Sequence, residues 1–162
     1  MRKNRVLRKG ATYHVSAKIN RSEMIFESNE FKNLFLHTVK RAKEDHEFLI
    51  RNFTIMDNHI HFLIQPLGNS SLSKIMQWIL SVFAINYNLI NKIHGHVWQG
   101  RFFSRTIDDI RQYFDTFNYI SDNPVKAGLV NNAKDYKYGA LYFIFNEIFD
   151  IVERNTAEIL LR

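Results

Sequence analysis

The segment His59-Ile60-His61-Phe62-Leu63-Ile64 carries the first candidate chemistry. Side chains alternate across a strand, so Ile60, Phe62 and Ile64 share one face and His59 and His61 the other. Two imidazoles side by side on an open strand face can bind one divalent metal. The plainer reading of an isolated His-x-His is two surface histidines that only hydrogen-bond.

A second constellation follows at helical spacing. Ile110, Tyr113, Phe114, Phe117 and Ile120 form an apolar stripe. Tyr119 lies roughly 200° around the helix from Phe117, at 3.6 residues per turn. It shares that polar side with Gln112, Asp115, Asn123 and Lys126, where a core aromatic would not sit. Tyr119 and Asn123 are four residues apart and stack on one face. The residue before proline avoids α geometry, so Pro124 is expected to loosen the helix at Asn123. Gly128 suits the helix C-cap.

Two imidazoles, one amide oxygen and one phenol could form a metal site with an adjacent nucleophile. A metal polarises a phosphoryl oxygen and stabilises developing charge. Tyrosine is a poor nucleophile at its usual pKa and needs such help or a base. A phosphotyrosine intermediate would retain the energy of the broken bond for rejoining a strand, which suits strand transfer better than hydrolysis.

The elements that must position these groups read in order along the chain. Thr12 to Ile19 alternates and is rich in strand formers. Ser28 or Asn29 can cap a helix carrying Phe31, Leu34, Phe35, Val39 and Ala42. Phe48–Met56 and Ile60–Pro66 read as strands, joined by a tight turn at Asp57-Asn58. Ser70 or Ser71 caps a second helix through Leu72, Ile75, Met76, Ile79, Phe83, Tyr87 and Ile90, with Gly95 as its stop. Trp98 to Ile107 reads as a strand, and Asp108 or Asp109 starts the third helix. The order β-α-β-β-α-β plus a helix predicts an α+β, ferredoxin-like (RRM-like) fold: an antiparallel sheet with helices on one face and a C-terminal catalytic helix. One sheet face is then left free for ligand. Tyr136, Tyr138, Leu141, Ile144, Phe145 and Ile148 are expected to form a further helix. The chain divides into a basic arm (1–10), a catalytic domain (11–130) and a helical extension (131–162).

Composition narrows the class. A chain of 162 residues, 46% hydrophobic and 23% charged, fits one folded domain and excludes wholesale disorder. The absence of cysteine excludes disulfide scaffolds, thiolate metal sites and cysteine nucleophiles. No apolar run is long enough to span a bilayer, and MRKNRVLRKG has no apolar core behind its charges, so a cytoplasmic protein is expected. The formal charge is +6, and Arg2, Lys3, Arg5, Arg8 and Lys9 crowd the first ten residues. Such an arm points to nucleic acid, or else is a solvated tail. Arg101 and Arg105 are expected to share one strand face with Gln99 and Phe103, and could track a phosphate backbone beside an aromatic stacker. Lys126 could steady a scissile phosphate; a surface lysine fits the same spacing. His14 reads as a satisfied sheet residue, and Trp78 and Trp98 as packing anchors.

These segments resemble a known family. MDNHIHFLIQP, containing His59 and His61, resembles the HUH motif. Trp98-Gln99-Gly100-Arg101-Phe102 and the run Tyr119 to Val130 (YISDNPVKAGLV) resemble signatures of single-tyrosine HUH transposases, above all the REP-associated tyrosine transposases. The resemblance spans about Thr12 to Val130, and the three motifs in this order are specific. It implies a metal-dependent endonuclease and strand transferase acting on single-stranded hairpin DNA. His59 and His61 would then hold Mg²⁺ or Mn²⁺, with Asn123 completing the site. Tyr119 would attack the scissile phosphate, take the 5′-phosphate and leave a free 3′-OH. The chain departs from relatives at Ser121-Asp122 and at Lys18-Ile19-Asn20, which bears on substrate contacts. Relatives include monomers and homodimers with exchanged helices. Two alternatives stand beside this reading: a non-enzymatic single-stranded nucleic-acid-binding module, and a phosphodiesterase that uses water.

Overall fold

A computed structural model describes residues 7–154. Its main elements are β1 (Tyr13–Lys18), α1 (Asn29–Asp45), β2 (Phe48–Ile55), β3 (His59–Pro66), α2 (Leu72–Asn91), β4 (Phe103–Thr106), α3 (Ile110–Lys126) and α4 (Ala140–Phe145). The strands form one sheet in the order β2-β3-β1-β4, with β3 antiparallel to β2 and β1, and β4 antiparallel to β1. This is the expected ferredoxin-like α+β arrangement.

Burial fixes the register. Val15, Ile50, Ile55, Ile60 and Ile64 are fully buried, together with Phe35 and Val39 of α1 and Ile75, Ile79 and Phe83 of α2. Slipping β3 by one residue would exchange Ile60, Phe62 and Ile64 for His59, His61 and Leu63 in this core. The rings of Phe26, Phe35, Phe83 and Trp98 interlock there. Trp98 is thus the expected packing anchor, with its indole N–H donating to the Leu80 carbonyl at 2.9 Å.

Four expectations are corrected. The strand predicted over Trp98–Ile107 shrinks to Phe103–Thr106, because Gln99–Gly100 turns and only Trp98 bridges Ile19. Arg101 and Gln99 therefore do not share a strand face with Arg105. Second, helix α2 ends at Asn91, and its C-cap Lys92 takes the left-handed conformation (φ 53°) before Gly95 is reached. Third, the second sheet face is not left bare, for α3 crosses it and buries Phe117 and Ile120 on Leu63. Ile110 and Phe114, read as part of that stripe, are exposed.

Fourth, the C-terminal aromatic run does not form one helix. Tyr136 and Tyr138 lie in a turn, and α4 has only six residues. This segment instead covers the outer edge of β2. The Ile55 N–H donates to the Tyr138 carbonyl at 2.9 Å, Thr54 bridges Gly139, and Ile50 bridges Val152. A covered edge cannot template pairing with another chain. Among the described residues no helix is long and apolar enough to cross a membrane.

Candidate metal and tyrosine site

Helix α3 is held firmly at both ends. The Asp109 side chain caps it by accepting from the Gln112 N–H at 2.8 Å. At the other end Gly128 (φ 73°) donates to the Val125 carbonyl and Leu129 to the Pro124 carbonyl, a Schellman closure. Pro124 does not loosen the helix at Asn123. It lies buried in the last turn, and α3 runs on through it to Lys126. Asn123 therefore stays helical, and its side-chain amide donates to the Tyr119 carbonyl at 3.1 Å.

Tyr119 stands off the apolar stripe and meets the sheet at His14 and His61. Its ring lies 5.5 Å from that of His61 and 5.8 Å from that of His14, both edge-on. His59 and His61 have ring centroids 5.0 Å apart. The Asn123 side chain lies near enough to His59 to raise its pKa. All four predicted groups thus converge, and all come from one chain.

His61 was expected to face outward with His59. It faces the predicted side of the sheet, yet only 5% of it is exposed, because α3 and Tyr119 cover it. Its Nδ1 lies 3.0 Å from His14 Nε2, and the two rings are inclined by 26° with centroids 5.2 Å apart. His59 Nδ1 donates to Asn58 Oδ1 at 2.8 Å. In each histidine Nδ1 already has a partner, so any further ligand falls to Nε2.

Burial decides the protonation of these rings. Desolvation, with smaller contributions from His59, His14 and Lys18, lowers the His61 pKa to about 3. Burial, then Arg105, lowers that of His14 to about 4. His59 is also lowered, mainly by burial and also by Lys18; the Asn123 side chain and the nearby Asp57 work the other way. Neutral imidazole is the form that ligates a metal. Among the described residues no three His, Cys, Asp or Glu side chains form a metal cluster. The donor set on offer is two neutral imidazole nitrogens and the Asn123 amide, which suits a divalent cation that keeps positions for water or phosphate oxygen.

The predicted DNA-contacting residues divide. Arg2, Lys3 and Arg5 lie outside the described residues. Arg8 pairs with Asp108 at the start of α3, and Lys9 is exposed. Arg105 on β4 sits opposite His14 in register. Phe103, 55% exposed, lies on the same face with its ring 6.3 Å from His14. Lys126 places its ammonium 5.7 Å from the Tyr119 ring. Arg101 lies away from this cluster, on a groove of about 750 Å³ between α2 and the loop before β4.

Sequence reasoning missed three contributors. His14 and Lys18 belong to the polar alternation of β1, which pointed to a face but not to a neighbour. Lys18 is exposed opposite His59 and acts on both β3 histidines. Asn52 on β2, fully buried, gave no periodic signal, because a bulge at Arg51 shifts its register.

The family description "Transposase IS200 like" matches residues 8–123. The chain belongs to this transposase family. It is 24% identical over 135 residues to the REP-associated tyrosine transposase of Escherichia coli (strain K12), covering 83% of this chain and 78% of that protein. Its fold matches the structure of a REP-associated tyrosine transposase bound to a REP hairpin, with a TM-score of 0.77, 22% identity, and coverage of 92% of this chain and 88% of the other.

Proposed function

We propose that this chain is a metal-dependent single-stranded DNA endonuclease and strand transferase acting through Tyr119. The observation that carries the reading is the Tyr119 ring against His61 and His14, on a helix whose Asn123 reaches His59. His59, His61 and Asn123 would hold Mg²⁺ or Mn²⁺. The bound ion would polarise the scissile phosphate and stabilise its developing charge.

The Tyr119 oxygen attacks phosphorus as the bond to the 3′ oxygen breaks. The phenol loses its proton and the departing 3′ oxygen gains one. A 5′-phosphotyrosine and a free 3′-OH result, and attack by a 3′-OH reverses the step to join strands. Lys126 and Lys18 flank this point with positive charge. Phe103 and Arg105 supply a stacking surface and a phosphate contact beside it. Hairpin DNA as substrate draws support from the hairpin bound by the structurally similar transposase. Since one chain supplies every group, a homodimer with exchanged helices is not required to assemble the site. We place its action in the cytoplasm, with its DNA substrate.

The experiment is denaturing gel electrophoresis of the protein with end-labelled single-stranded hairpin DNA and Mn²⁺. A labelled covalent adduct that disappears with chelator, and in His59→Ala, supports the reading. Cleavage with no adduct would favour water as nucleophile. Binding with neither would favour a non-enzymatic module.

A further inference from the structure

We propose that His14 is a positioning residue that accepts the Nδ1–H of His61 and so presents His61 Nε2 to the cation. The inference rests on the reading of His61 as a metal ligand. A neutral imidazole carries one proton, so a lone pair on Nε2 requires the proton on Nδ1. Among the described residues Nδ1 meets His14 Nε2, at 3.0 Å. If His14 were the donor instead, the proton of His61 would sit on Nε2 and block the ligand position.

The register makes the contact. Ser16 lies directly across from His61 on β1, and His14 lies across from Leu63. His14 and His61 are therefore diagonal neighbours on one sheet face, a spacing that aromatic side chains can bridge. Ser16 at the direct position is too short to do so. The two rings lie close to one plane (26° between them) with centroids 5.2 Å apart, as an in-plane N–H···N bond requires. An outer partner of this kind fixes ring orientation and raises ligand basicity, and its loss typically weakens metal binding about 10- to 100-fold.

The test pairs two readouts on the wild type, His14→Phe and His14→Gln. Long-range ¹H–¹⁵N NMR of the metal-free protein reports which His61 nitrogen carries the proton. Electron paramagnetic resonance titration reports Mn²⁺ affinity. Wild type should show the Nδ1–H form of His61. His14→Phe, which keeps a ring but no acceptor, should lose that preference and bind Mn²⁺ about 10- to 100-fold more weakly. His14→Gln restores an acceptor oxygen and should recover most of both. A merely structural role would not make Gln better than Phe. The proposal is overturned if wild-type His61 carries its proton on Nε2, or if His14→Phe leaves tautomer and affinity unchanged. A wild type with the Nδ1–H form and no Mn²⁺ binding overturns the metal reading, while the hydrogen-bond assignment stands.

Discussion

Asn52 on β2 donates from its carboxamide to Ser121 Oγ on α3 at 2.8 Å, and to the Phe117 carbonyl at 2.9 Å. This is the polar tie between the sheet and the helix that carries Tyr119 and Asn123. Its other atom, Oδ1, is buried with no hydrogen-bond partner.

The Asn52 tie predicts an unusual ranking. Asn52→Ala should destabilise by about 1–3 kcal/mol, since the Phe117 carbonyl and Ser121 lose their donor. Ser121→Ala should cost less, about 0.5–1.5 kcal/mol. Asn52→Asp should be worst, because it sets a second acceptor against the Phe117 carbonyl and buries a carboxyl group. Urea unfolding of the three variants checks the order, and an Asp variant as stable as wild type would refute it.

The imidazole cluster predicts acid sensitivity. The unfolded histidines take up protons near pH 6.5, whereas folded His14 and His61 do so only near about 4 and 3. Between these values the unfolded state binds more protons, so stability rises with pH. The contribution is complete above about pH 6.5 and is lost as pH falls towards 4. Melting temperatures of metal-free protein should drop steeply over that window, and less so in His14→Phe. Parallel curves for the two proteins would contradict this account.

The basic arm should act through counterions. Each phosphate neutralised on a single strand contributes about −0.7 to the slope of log K against log salt. Removing residues 1–6 deletes Arg2, Lys3 and Arg5, yet keeps Arg8 and the Gly10 carbonyl that Gln65 grips. Hairpin affinity should fall, and the slope should flatten by up to about 2. An unchanged slope would make the arm a solvated tail.

The legible part of this molecule was the part written in periodicity. Alternation put His59 and His61 on the face opposite Ile60, Phe62 and Ile64, and helical spacing put Tyr119 beside Asn123 and apart from Phe117. Long-range facts were not written there. Nothing local says that α3 folds onto the polar sheet face, so His61 was read as open when it is buried. Nothing local pairs His14 with His61, since they meet only through the β1–β3 register. Trp98 to Phe102 looked like strand because its residues favour strands, but tertiary packing of Trp98 on Leu80 and the Phe83 ring overrides that preference.

The hydroxyl of Tyr119 gives the sharpest prediction. The ring packs edge-on against His14 and His61 and is 47% exposed, so Tyr119→Phe keeps the ring contacts and should change stability little. If the hydroxyl is the nucleophile, the variant should bind Mn²⁺ and hairpin DNA as wild type does, yet form no covalent adduct. Tyr113 is the control on the same helix. Its ring stacks on Phe117, and burial raises its pKa, which makes it a poorer nucleophile still. Tyr113→Phe should therefore retain the adduct. Both variants run on one denaturing gel with end-labelled DNA. An adduct that survives Tyr119→Phe and vanishes in Tyr113→Phe would move the nucleophile to the other side of α3, away from the histidines.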